Sequence, residues 1–107
     1  MDSEKERAAE DVLNAKADFE MALSNKRKYP LSEFRRFVRA ARRYIGLTAG
    51  DPFIHRKVAG EISGFSDYLQ SERKRVPGDV LYEVDRLHCL LFSGYDPHFE
   101  GDEPPDL

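Results

Sequence analysis

The chain has 107 residues, one cysteine and a formal net charge of −3, with 35% charged and 40% hydrophobic residues. That length fits a single domain with a modest core, and the composition fits a heavily charged helical protein better than a β-sandwich. No run approaches the ~18 consecutive apolar residues of a membrane span, the acidic opening MDSEKERAAED lacks the features of a secretory or transit leader, and the lone Cys89 excludes an internal disulfide, so a reducing, cytoplasmic location is the expectation.

The first periodic segment covers residues 4–23, where Ala8, Val12, Ala15, Phe19, Ala22 and Leu23 form a narrow apolar stripe. Ser3 is its expected cap, with Glu4, Glu6 and Glu10 near the positive end of the dipole. Strong helix propensity with few large side chains predicts a helix that docks weakly and frays at its start. A connection follows over residues 24–29, and Pro30 blocks any helix running through it.

A second helix is expected from Leu31 or Ser32, capped by Ser32 and stopped at Gly46. Phe34, Phe37, Val38, Ala41 and Ile45 form its core face. Opposite them, Arg35, Arg36, Arg39, Arg42 and Arg43 fall within an arc of about 120° at helical spacing. The third helix is expected to open with Asp51 as cap and Pro52 in the first turn, and to run to about Arg75 before Val76-Pro77-Gly78. Its stripe is Ile54, Val58, Ile62, Phe65 and Leu69, and Arg73, Lys74 and Arg75 fall in its last turn. Asp79 is the expected cap of a fourth helix from Val80 to about Phe92, with Gly94 beyond it. Val80, Val84, Leu87 and Leu91 line one side, while Leu81, Leu90 and Phe92 widen the apolar surface. Such a helix is either central or covered by a partner.

The segment 96–107 carries five acids, three prolines and no Lys or Arg; it cannot bury enough surface to fold alone. No sustained heptad, internal repeat or strand alternation occurs. These elements predict an all-α fold: a compact antiparallel bundle of about four helices over residues 1–95, followed by an extended acidic tail.

Eight of the 17 basic residues lie within residues 26–43. Lys26, Arg27 and Lys28 lead into the face formed by Arg35, Arg36, Arg39, Arg42 and Arg43, where only Glu33 offers local neutralisation. Arginine forks suit carboxylate or phosphate. The expectation is a non-enzymatic interaction or regulatory module that docks an acidic protein surface here, with Tyr29 and Tyr44 bordering the site. The alternative is a nucleic-acid-associated protein that uses the same residues on phosphates. Against it, residues 46–51 are longer than a helix-turn-helix connection, and the sequence Pro52-Phe53-Ile54-His55-Arg56-Lys57 has no Asn or Gln to read adenine. The acidic tail is a candidate competitor that folds back on the arginine face.

Gly60 and Gly64 stand four apart on the third helix, beside Phe53 by helical angle. They form a flat strip for close approach of the N-terminal helix or, by self-association into a homodimer, of a second copy. His88 and Cys89 diverge by about 100° on a helix and cannot grip one metal together. Asp85 and His88 at i, i+3 lack the further carboxylates of a bundle metal site, and His55 and His98 have no ligand partners at recognisable spacing. No phosphate loop, nucleophile elbow or zinc-protease motif is present. The sequence therefore names no catalytic residue, metal ligand or cofactor.

Overall fold

The computed structural model describes residues 3–25, 29–71 and 75–93. Four helices occupy them: α1 (Ser3–Asn25), α2 (Leu31–Leu47), α3 (Arg56–Ser71) and α4 (Gly78–Ser93). No strand occurs among the described residues, and none of these helices is long and apolar enough to cross a membrane. The fold is an all-α bundle. The segment 94–107, including the expected tail, lies outside the described residues, as do Lys26, Arg27 and Lys28.

The helices form two antiparallel hairpins, α1–α2 and α3–α4, packed α1 on α3 and α2 on α4. This places α2 and α3 at diagonal corners. The connection 48–55 must therefore cross the end of the bundle, which a short turn could not do. This corrects the expected start of the third helix: α3 begins at Arg56, and Asp51-Pro52 belongs to the crossing. The crossing is pinned at several points. Thr48 closes α2 by donating its backbone N–H and its hydroxyl to the Tyr44 carbonyl at 3.0 and 2.9 Å. Asp51 donates its N–H back to the Thr48 carbonyl at 2.9 Å, and Gly50 between them takes φ +82°, a conformation that disfavours side chains. The Tyr44 hydroxyl accepts the His55 N–H at 2.7 Å, and Lys5 of α1 pairs with Asp51 at 2.7 Å.

Other helix ends also differ from expectation. α2 continues through Gly46 to Leu47, and Pro30 stands at its N-cap without a side-chain cap bond. The Ser32 hydroxyl donates instead to the Glu33 carboxylate. Asp79 lies inside the first turn of α4 rather than before it. α3 ends at Ser71, so Arg75 lies beyond it in a turn. Residues 73 and 74 lie outside the described residues.

α1 does not dock weakly. Ala8, Val12, Ala15 and Phe19 on α1 and Phe34, Phe37, Ala41 and Tyr44 on α2 are all buried. Their alternating spacings of three and four make a short heptad seam on each helix. The alanines favour attachment because they let the two backbones approach closely. Around Phe65 of α3, the rings of Phe19, Phe34 and Phe37 gather with centroids 5.2, 6.1 and 5.2 Å away, joining both hairpins through one aromatic cluster.

Candidate functional site

The arginines of α2 divide into three groups according to what each flank meets. On the α4 side, Arg42 is turned inward and pairs with Glu83, whose carboxylate also accepts from Arg86 Nη1 at 2.9 Å. Glu83 and Arg86 each keep only 5% of their side-chain surface exposed, and Arg42 keeps 21%. Arg42 is thus a bundle residue, which corrects its place on the docking face. By helical angle it stands at the edge of the arc, and the packing of α4 there covers it.

On the α1 side, Arg36 pairs with Asp18, while Arg43 lies 3.6 Å from both Glu4 and Asp11. Glu4, Asp11 and Asp18 repeat every seven residues, as do Arg36 and Arg43. In an antiparallel seam that spacing lines one acidic edge against one basic edge. Glu33 is the only acid within α2 itself, but α1 supplies three further carboxylates from far away in sequence. All these side chains are about half exposed, so each pair contributes about 0–1 kcal/mol and is open to competition by another anion.

Between these flanks stand Arg35 and Arg39, one turn apart and exposed, with no ion-pair partner among the described residues. Arg36, Arg39 and Arg43 also line a shallow groove of about 390 Å³ between α1 and α2, with Asp11, Asn14 and Ala40. The available surface is therefore two guanidiniums without an ion-pair partner among the described residues, beside two that are loosely paired.

Neither tyrosine expected at this border lies there. Tyr44 is buried and directs its hydroxyl to His55 N–H, nine residues and half a helical turn away from Arg35. Tyr29 packs on Phe19 at 5.7 Å. Its hydroxyl is buried without a hydrogen-bond partner among the described residues, and burial, reinforced by Tyr68, pushes its pKa up to about 12.

Gly60 and Gly64 are exposed, and a methyl group added at either would meet nothing within 4 Å. The expected close approach of α1 is absent. Phe53 belongs to the crossing segment and not to α3, so the three residues do not form one helical strip. Among the described residues, no group of three or more His, Cys, Asp or Glu could hold a metal ion. His88 packs against the ring of Phe92 at 4.8 Å, and Cys89 is part-buried.

Sequence reasoning missed the cluster formed by Arg42, Glu83 and Arg86. Its only trace is an i, i+3 acid–base pair, Glu83 and Arg86, on the helix with the most apolar sequence. Comparison with protein-family models, curated proteins and solved structures finds no match for the chain.

Proposed function

We propose that the protein is a small non-enzymatic interaction module that docks an acidic protein surface on the outer face of α2, with Arg35 and Arg39 as its primary contacts and Arg36 and Arg43 as secondary ones. The observation that carries this reading is the exposure of Arg35 and Arg39 without a counter-charge among the described residues. Partner carboxylates spaced one helical turn apart meet this pair in register. Steering by the basic face precedes docking, and the partner's acids then compete with Glu4, Asp11 and Asp18 for Arg36 and Arg43.

The phosphate reading is less well supported. A nucleic-acid backbone is charged along its whole length, so part of it laid across α2 would run beside the acidic edge of α1, where like charges oppose binding, whereas a partner helix can confine its carboxylates to the contact with Arg35 and Arg39. Titrating the full chain with a helical peptide bearing glutamates one turn apart, with its glutamine counterpart, and with duplex DNA and single-stranded RNA at low and moderate salt separates the two. Binding of the glutamate peptide alone, lost in the Arg35→Glu/Arg39→Glu variant, is the expected result. Tight nucleic-acid binding with a steep salt dependence, or peptide binding that survives the double variant, would reject the proposal.

A further inference from the structure

We infer that the crossing segment at the end of the bundle is a self-association site, at which Phe53 of one copy enters the groove beside Phe53 of a second copy. Phe53 is 86% exposed, the most exposed of the large apolar side chains among the described residues. A single exposed aromatic is ordinary on a protein surface. This one forms a wall of a groove of about 400 Å³ whose other apolar walls are Ala9, Tyr44 and Ile54. Projection and recess are thus neighbours on one chain. A two-fold axis between two copies inserts both rings at once, the self-complementary arrangement that closes a dimer without leaving an open end.

The charges around the groove select the same occupant. Phe53 is followed by Arg56 and Lys57 in the first turn of α3, both exposed and without an ion-pair partner among the described residues. They stand at the positive end of the helix dipole, where cations are disfavoured. The groove is rimmed by Glu6 of α1, also exposed and likewise without a described ion-pair partner, beside the Lys5–Asp51 ion pair, whose opposite charges offset each other. When the ring of one copy enters the groove of the other, Arg56 and Lys57 arrive beside the partner copy's Glu6, and the two-fold axis repeats the pairing. An acidic peptide would satisfy the cations but leave Glu6 facing like charge, whereas a second copy supplies both signs. The site lies across α2 from Arg35 and Arg39, because Tyr44 projects about 180° and about 140° away from them at helical spacing.

Sedimentation equilibrium of the full chain from micromolar to near-millimolar concentration tests this. The wild type is expected to show a concentration-dependent monomer–dimer equilibrium. Phe53→Asp and Phe53→Ala should weaken it about tenfold or more while leaving thermal unfolding by circular dichroism unchanged. Glu6→Lys and Lys57→Glu should each weaken it about threefold, and their combination should restore it toward the wild-type value. A wild type that is monomeric throughout, or a Phe53→Asp variant that associates like the wild type, would overturn the inference. Single charge reversals without effect would overturn the two-fold pairing of Glu6 with the cations of α3.

Discussion

Arg42 and Glu83 join α2 to α4 through an ion pair that is largely withdrawn from solvent, and Arg86, one turn farther along α4, shares the same carboxylate. Removing Glu83 takes away the carboxylate that both guanidiniums share in a largely desolvated setting. Glu83→Ala is therefore expected to destabilise the protein by about 3–5 kcal/mol in urea unfolding. Arg42→Ala should also destabilise it clearly, whereas Arg35→Ala and Arg39→Ala should stay within about 0.5 kcal/mol of the wild type. Equal effects at Arg42 and Arg35 would contradict the division of the arginine face.

That division shows how far the sequence reaches. The apolar stripes of α2 to α4 are readable because large side chains recur at helical spacing, and these three helices follow from them. Arg42 was not distinguishable from Arg35 by helical angle alone, since they differ by about 20°; only the position of α4 separates them. The spacing of Glu4, Asp11 and Asp18 was present in the sequence, but it acquires meaning only once α1 is known to lie antiparallel along α2. Asp51-Pro52 gave a strong local signal for a helix start, and the need to cross the bundle diagonal overrode it.

The glycines of α3 give opposite expectations to Gly50. With open space around both positions, Gly60→Ala and Gly64→Ala should each stabilise the protein by about 0.5–1 kcal/mol through helix propensity. Gly50→Ala should destabilise it by roughly 1–2 kcal/mol, because φ +82° is strained for an L side chain. Thermal unfolding of the three variants checks this. Destabilisation at Gly60 or Gly64 would mean that a neighbour does pack there.

Tyr29 predicts an alkaline signature. Burial favours its neutral phenol in the folded state, raising the pKa from 10.0 to about 12. Its contribution is fully present below the unfolded value and is lost as pH rises through the folded one. Wild-type stability should therefore fall relative to Tyr29→Phe between pH 10 and about 12. Near neutral pH the variant should match or slightly exceed the wild type, by up to about 1 kcal/mol, because it removes a buried hydroxyl with no hydrogen-bond partner among the described residues. Parallel pH profiles of the two proteins would refute this assignment.

Phe19 binds α1 to α2 and α3 through the aromatic cluster. Phe19→Ala should cost about 3–5 kcal/mol, measured by denaturant unfolding. A loss below about 1 kcal/mol would revive the picture of a weakly held N-terminal helix.

Arg35 and Arg39 are the proposed docking residues of α2. The affinity of the full chain for the partner recovered from native cells, compared between wild type and Arg35→Glu/Arg39→Glu, tests this role. Both substitutions fall on exposed positions, so the variant should unfold like the wild type while its affinity drops by about tenfold or more. Undiminished affinity in a folded double variant would contradict this role and leave the arginine face as solvated surface.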